Sequence, residues 1–246
     1  MNNERDIHAD LFGVDGCKAG WFVVKQCGRT AAITTSVIAH FQDLLDCKRA
    51  NAIVAVDMPI GLSENGIRAC DTLARKMLGR PRGSSVFAPP IRAALAASSY
   101  EEACAINHAE SGKRISIQAF HIRKKIAEVD DVMHTHNINA TRVFEVHPEL
   151  SFMHVRMEQG GPAHGLRESK AHAPGFALRH ALLVKCFGSA IDSALATRKP
   201  SQASRDDVLD AFAVLWTARR IASGKAFHLP EEIAIDANGI PMAIYC

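Results

Sequence analysis

The stretch LFGVDGCKAGWFVVKQC, residues 11–27, predicts the start of a β-sheet. It divides into an apolar strand over 11–15 and a second strand over 20–27, with four residues between them. Gly28-Arg29 indicates a turn, and the apolar-rich run over 30–38 then predicts a third strand. The three strands are therefore expected to form a meander.

Two later strands are expected to lie parallel to the first. Residues 52–57 form an apolar, β-branched run that ends at an acid and Pro59, as a buried parallel strand does. A short helix over about 41–50 precedes it, and a fifth strand over 141–147 is ended by Pro148. A meander, a helix and a buried strand are, in this order, the first elements of the ribonuclease H-like fold. We therefore expect an α/β protein whose mixed five-stranded sheet is flanked by helices.

Residues 61–140 are predicted to form a helical and loop-rich insertion between the fourth and fifth strands. A connection of about 80 residues is long for a crossover, so the insertion is expected to form a cap or lid. No repeat or linker interrupts the sequence, which predicts one domain over 1–246. Further along the chain, the sequence predicts a helix over 174–188 and a hairpin turn at 237–239.

A last long helix is predicted over about 205–223, and it carries acidic residues at its start. After Asp210 this helix is apolar nearly all round, which indicates that it is buried. Asp207 and Asp210 are three residues apart and share one face. The negative charge of Asp206, and in part that of Asp207, is explained by its favourable interaction with the helix N-terminus. A carboxylate at Asp210, a full turn inside, needs a compensating cation or donor.

Two other aspartates end predicted parallel strands. Asp15 follows an apolar run that ends at Val14, and Asp57 follows one that ends at Val56. Ligands of α/β sheets bind outside the carboxyl ends of parallel strands, so both carboxylates are expected at one edge. Together with the helical aspartates they suit a hard, oxygen-ligated cation such as Mg²⁺ or Mn²⁺.

Glu145 and His147 alternate with apolar neighbours and share one face of the fifth strand. A glutamate in the middle of a strand is unusual. It is equally compatible with a structural ion pair to Arg142 or Arg179 and with a contact to metal or substrate.

Composition and charge restrict the class of protein. The chain has 246 residues, of which 48% are apolar and 22% charged, as in globular proteins. Seven cysteines without a C-x-x-C pair indicate reduced thiols, and the N-terminus lacks a signal peptide, so we expect a soluble, cytoplasmic protein without a membrane partner. Residues 68–125 hold 11 Lys and Arg against 4 Asp and Glu. This basic segment either faces a polyanion or solvates helical surfaces.

Seven short segments carry a resemblance that covers nearly the whole chain. They are GVDGCKAGW (13–21), VDMPIGL (56–62), RACDTLAR (68–75), SSVFAPP (84–90), KIAEVD (125–130), FEVHPELSF (144–152) and DDVLDAFAVLWTA (206–218). In this order they resemble the domain-of-unknown-function family 429, which is often labelled a family of ribonuclease H-like nucleases. The wider superfamily includes Holliday-junction resolvases, whose acids lie on the first strand, the fourth strand and a D-x-x-D pair of the last helix.

The resemblance implies a nuclease that hydrolyses phosphodiester bonds by a two-metal mechanism. Two Mg²⁺ or Mn²⁺ ions are expected between Asp15, Asp57, Asp207 and Asp210, with Glu145 as a further catalytic candidate. Asp57 stands where resolvases commonly carry a glutamate, and the insertion is not a resolvase feature. The candidate contacts to substrate phosphates, each of which is alternatively a surface charge, are Lys18, Arg75, Arg82, Lys125 and Lys170, and His147 is a further substrate-binding candidate.

Two other functions remain open at this point. The first is a non-catalytic protein of the same fold that binds a small ligand or nucleic acid in its acidic pocket. The second is an actin-like phosphotransfer enzyme, because an acid and a glycine turn at residues 13–16 also hold phosphates in that class. Such enzymes duplicate the fold, and this chain is too short for two copies.

Overall fold

The computed structural model describes residues 9–44, 52–64, 66–135 and 142–246, and a seven-stranded sheet forms its centre. The strands are β1 (Leu11–Cys17), β2 (Gly20–Gln26), β3 (Ile33–Ile38), β4 (Ile53–Val56), β5 (Val143–Val146), β6 (His228–Ile235) and β7 (Pro241–Tyr245). Across the sheet they follow the order β3-β2-β1-β4-β5-β7-β6. The sheet is mixed, as predicted.

The first three strands form the predicted meander, because β2 is antiparallel to both β1 and β3. β4 is parallel to β1 and β5 is parallel to β4, so the carboxyl ends of these three strands lie at the same edge. β1 extends to Cys17, two residues beyond its predicted end at Asp15. It stays paired with β2 after its parallel pairing with β4 has ended at Val14.

The prediction of five strands was wrong. The hairpin turn predicted at 237–239 is confirmed, and it joins β6 to β7. Because β7 then pairs in parallel with β5, the hairpin adds two strands to the same sheet. Asp236 stabilises the turn, since its carboxylate accepts hydrogen bonds from the N–H groups of Asn238 and Ile240, both at 2.9 Å.

Seven α-helices lie in the part of the chain that the structure describes. They are α1 (Ala69–Leu78), α2 (Tyr100–Ser111), α3 (Ile117–Thr135), α4 (Pro148–Glu158), α5 (Ala173–Phe187), α6 (Ala190–Thr197) and α7 (Arg205–Ala222). The helices predicted over 174–188 and 205–223 are confirmed as α5 and α7. Within the described ranges, no helix combines the length and the apolar character needed to cross a bilayer.

The segments before β4 and after β5 differ from the predicted helices. The helix predicted over 41–50 is described only as a 3₁₀ turn at Phe41–Leu44, and 45–50 lie outside the described residues. α4 was not predicted, because Pro148 was read only as the end of a strand. It also occupies the first position of a helix, where its fixed φ and missing N–H are tolerated.

The two faces of the sheet carry different cores. Odd-numbered residues of β1 and β4, such as Leu11 and Ile53, pack with α7, whereas even-numbered ones, such as Val14 and Val56, pack with α3. At Gly13 the backbone of α7 lies directly on β1. A Cβ atom at Gly13 would lie 2.2 Å from the carbonyl oxygen of Ala211, so no larger residue fits there.

The insertion over 61–140 is distributed around this sheet. α3 covers one face, and α1 packs beside β6, β7 and α4. The assignment of 61–140 as a cap or lid stays a prediction.

A buried arginine links α1 to the sheet. Arg68 is only 1% exposed, and its guanidinium donates to both carboxylate oxygens of Glu145 at 2.7 Å and to those of Asp71 at 3.1 and 2.6 Å. It also donates to the carbonyl oxygens of Ile60 and Gly61. Burial disfavours the charge, but Glu145 and Asp71 outweigh this and raise the pKa of Arg68. Asp71 is therefore an ion-pair partner of Arg68.

We expect Arg68→Met to lower the free energy of unfolding by about 3–5 kcal/mol, because it leaves two buried carboxylates without their partner. The measurement is urea unfolding followed by circular dichroism. The matched control is Arg220→Met, whose partner Glu158 has a side chain 52% exposed, and there we expect about 1 kcal/mol or less. Equal losses in the two variants would contradict the structural role of Arg68.

Candidate metal centre

Three aspartates from distant parts of the sequence meet at the carboxyl edge of β1 and β4. One carboxylate oxygen from each of Asp15, Asp57 and Asp210 lies within 4.8 Å of the other two. Val14 pairs with Val56 in the parallel ladder, so Asp15 and Asp57 occupy the next equivalent positions. Both have odd numbers and therefore face α7, which carries Asp210.

The close packing of α7 positions Asp210. Its neighbour Ala211 touches β1 at Gly13, which brings that turn of the helix beside the strand end. Asp210 is 3% exposed, Asp15 is buried, and Asp57 is half-buried. The prediction that these three carboxylates converge is confirmed, and we refer to them below as the aspartate triad.

Burial and nearby carboxylates disfavour the charged forms of Asp15 and Asp57. Burial, followed by the carboxylate of Asp57, raises the pKa of Asp15 well above its ordinary value. Burial, followed by the carboxylate of Asp210, raises the pKa of Asp57 to about 8. The surroundings of the triad therefore compensate its negative charge only in part.

Asp207 does not join this group. Its carboxylate accepts hydrogen bonds from the backbone N–H of Ser204 at 2.8 Å and from the Ser204 hydroxyl at 2.7 Å. The Ser204 hydroxyl in turn accepts from the N–H of Asp207, which completes a capping box. The side chain of Asp207 thus turns back to the helix start, and its role as a metal ligand stays a prediction.

Glu145 lies on the other face of the sheet. It pairs with Val56, whose side chain packs on the α3 face, whereas Asp57 faces α7. Its partner is Arg68, neither of the two arginines considered from the sequence. Burial raises the pKa of Glu145 even though Arg68 opposes this shift. Glu145 thus forms an ion pair in the core, and its role as a catalytic residue stays a prediction.

Lys170 is the one basic side chain that pairs with the triad among the described residues. Its ammonium group donates a hydrogen bond to Asp210. The Asp210 carboxylate raises the pKa of Lys170 above its ordinary value, so the amine is charged at neutral pH. Lys170 was predicted as a phosphate contact. Its side chain lies beside the triad and is still 42% exposed.

The triad lines a cavity of about 330 Å³. Four of the predicted substrate contacts also line it: Arg82, Lys125, His147 and Lys170. Arg75 lines a neighbouring cavity, and Lys18 is exposed in the turn between β1 and β2 and lines neither. The structure thus brings four of these six residues to the triad, and their contact with a substrate stays a prediction.

The lining side chains Lys125 and His147 are held in place by the fold. The ammonium group of Lys125 donates to the carbonyl oxygen of Gly20, and its stem fills the space beside Gly16. His147 accepts from the N–H of Glu149 at Nδ1, so its Nε2 carries the proton and faces the carbonyl oxygen of Ser85 at 3.3 Å. Burial lowers the pKa of His147, which is therefore neutral at pH 7.

Two parts of the cavity wall were not predicted. Glu149 is buried beside the cavity, and both of its oxygens accept from Arg179 at 2.6 and 2.8 Å. Ser85, Val86 and Phe87 form another part of the wall. The sequence marked this segment, SSVFAPP, only as part of the family resemblance. The available signal was an aromatic residue within a Pro-containing segment.

The other buried acids of the described residues show what the triad lacks, because each has an arginine or lysine partner. The pairs are Lys25 with Asp10, Arg68 with Asp71 and Glu145, Arg92 with Asp130 and Asp236, and Arg179 with Glu149. The triad has three carboxylates and a single ammonium group. Its oxygen donors, its burial and its unbalanced charge fit a divalent cation of the Mg²⁺ or Mn²⁺ type.

Three aspartates that converge at the edge of a mixed sheet, beside a cavity also lined by basic side chains, define a protein with a candidate metal centre. The family follows from the sequence. The chain belongs to the family described as "Protein of unknown function (DUF429)", whose model matches residues 13–234 and therefore includes the whole triad. Neither the curated proteins nor the solved structures gave a match to this chain.

The raised pKa of Asp57 has a consequence for stability without metal. Between its unfolded pKa of about 3.9 and its folded pKa of about 8, the folded protein binds more protons, so stability falls as pH rises through this window. We expect the Tm in EDTA to fall from pH 5.5 to pH 8.5, by about 2–4 °C per kcal/mol lost. Asp57→Asn should reduce this slope and be the more stable protein at pH 8.5.

The measurement is differential scanning fluorimetry across this pH range. Asp131→Asn, which alters an exposed aspartate of α3, is the matched control and should keep the wild-type slope. The same slope in Asp57→Asn and the wild type would show that Asp57 is not destabilised by its neighbours.

Proposed function

We propose that this protein is a metal-dependent nuclease of the ribonuclease H-like fold. The single observation that carries the proposal is the convergence of Asp15, Asp57 and Asp210 within 4.8 Å, in a cavity that basic side chains also line. The fold assignment is supported by the strand order β3-β2-β1-β4-β5 with β2 antiparallel. We also propose a single domain whose 61–140 segment restricts access to the site, and a cytoplasmic location.

The triad is proposed to hold Mg²⁺ or Mn²⁺ through its carboxylate oxygens. A divalent ion at such a site supplies a Lewis acid and lowers the pKa of water. The prediction of two ions belongs to this proposal as well, and the stoichiometry of binding tests it. Because protons and metal compete for the same oxygens, the raised pKa values of Asp15 and Asp57 imply that affinity for metal rises with pH.

The basic wall is proposed to orient a phosphodiester. Three basic side chains line the same cavity as the triad: Lys125, Arg82 and Lys170. An anionic phosphate is attracted to these cations, whereas the triad alone would repel it. His147 lines the same cavity, and its Nε2–H would have to exchange the carbonyl oxygen of Ser85 for a phosphate or sugar oxygen to contact the substrate.

We expect the wild type to cleave nucleic acid with Mg²⁺ or Mn²⁺ and Asp210→Asn to lose at least about 10²-fold in rate, because one of three metal ligands has lost its charge. The measurement is gel-based cleavage of single-stranded, duplex and branched DNA and RNA. Calorimetry gives the number of Mn²⁺ ions bound.

Asp131→Asn serves as the control, since it removes an exposed aspartate and should cleave like the wild type. Circular dichroism establishes that both variants are folded. If the wild type binds Mn²⁺ but cuts no substrate of the panel, nuclease activity is excluded. If it binds no Mn²⁺ either, the metal centre is excluded too.

One observation favours a second candidate, a binding protein that needs no metal. The ammonium group of Lys170 already contacts Asp210 and serves as an internal cation for the triad. In that case the basic side chains of the cavity would bind an anionic ligand without hydrolysing it.

Lys170→Met separates the two candidates. For a metal centre, loss of the competing ammonium should strengthen Mn²⁺ binding by at least about tenfold, measured by calorimetry at pH 7.5. For a permanent counter-ion, Lys170→Met should destabilise the fold, and added Mn²⁺ should not restore the Tm. Lys185→Met, at an exposed position of α5, is the control and should change neither quantity.

A further inference from the structure

A second cavity of about 490 Å³ adjoins the metal centre. It lies between α1, the loop around residues 83–89 and the connection between α2 and α3 at 113–116. Asp71, Val86 and Phe87 line both this cavity and the first. The two cavities therefore lie next to each other and share these three side chains as a common wall.

The second cavity has cations that no acid neutralises. Arg75, Lys113 and Arg114 line it, are exposed, and form no ion pair within the described residues. The one acid in its lining, Asp71, is already bound to Arg68. This differs from the buried arginines of the fold, each of which pairs with an acid, and it leaves a net positive site for an anionic group.

Apolar side chains complete the lining. Phe87 is half-buried at the boundary of the two cavities, and its ring contacts no other aromatic ring among the described residues. Ile67 is 48% exposed at the same cavity, although it is a large apolar residue. An apolar surface beside unpaired cations matches the chemistry of a nucleotide, which has a flat base next to a phosphate.

The wall between the cavities is held firmly. The Nε–H of Arg75 donates to the carbonyl oxygen of Val86 at 2.8 Å, and the N–H of Gly83 donates to the carbonyl oxygen of Gly79 at 2.6 Å. Ser85 adds a hydrogen bond from its hydroxyl to the carbonyl oxygen of Arg82 at 2.7 Å. Phe87 is thus presented from a loop whose backbone is fixed by hydrogen bonds.

We propose that the second cavity binds the nucleotide next to the scissile phosphate of a single-stranded nucleic acid. Phe87 contacts the base, and Lys113 and Arg114 contact the adjoining phosphate. A base enters a cavity only when it is free of its partner strand and its stacked neighbours, which selects an unpaired strand over a duplex. This inference rests on the proposed nuclease function and assigns its substrate class.

The first test measures binding apart from cleavage. Fluorescence anisotropy measures the binding of a labelled oligothymidylate of about ten nucleotides to the Asp210→Asn protein in EDTA. The same measurement is made with its duplex and with an oligouridylate. Adding Lys113→Ala and Arg114→Ala should weaken binding of the single strand about tenfold and reduce the slope of log K against log salt by about 1.4. Adding Lys185→Ala and Lys199→Ala instead removes the same charge from exposed positions outside both cavities and should leave binding unchanged.

The second test addresses stacking. Phe87→Leu keeps an apolar side chain but removes the ring, and should weaken binding of the single strand about tenfold, whereas Phe87→Trp should retain it. Circular dichroism and the Tm exclude misfolding as the cause.

Tighter binding of the duplex overturns the inference. So does equal weakening by the two charge variants, or a Phe87→Leu protein that binds like its parent. The inference and the proposed function fail in distinguishable ways. If the wild type cleaves nucleic acid and these substitutions have no effect, only nucleotide binding in the second cavity is excluded. If the protein binds a single strand specifically but does not cleave it, only the nuclease activity is excluded.

Discussion

Repulsion among three carboxylates at one edge of the sheet is the constraint around which the site is organised. Asp15, Asp57 and Asp210 are held close together and largely out of water, and two of them have raised pKa values as a result. The protein balances its other described buried acids with arginine or lysine. At the triad it supplies only Lys170, so a proton or a further cation has to provide the remaining charge.

The sheet determines which acids can meet. Alternation along a strand directs odd positions of β1 and β4 towards α7, and the register of β5 directs Glu145 to the opposite face. The two faces then serve different purposes. The α7 face carries the triad, and the opposite face uses Glu145 with Arg68 to attach α1 to the sheet. The acids that follow β1 and β4 thus belong to the triad, whereas Glu145 within β5 forms an ion pair in the core.

Much of this arrangement was accessible from the sequence. The parallel strands, the acids at their ends and the aspartate one turn inside α7 followed from hydrophobic periodicity, which is a local property. Other features depend on which partner a side chain reaches in three dimensions. Asp207 binds Ser204, Lys170 binds Asp210, and β7 pairs with β5 across a long stretch of sequence. No periodic pattern encodes such long-range pairings, so the strand count and the ion pairs required the structure.

Gly13 joins packing and chemistry in a single backbone contact. The gap between β1 and α7 at this point has no room for even one methyl group, and the same contact determines how far Asp210 stands from Asp15. Engineering that aimed to change the spacing of the triad by moving α7 would therefore loosen the core at the same time. The side chain of Phe87 is a more permissive starting point for redesign, because it borders two cavities.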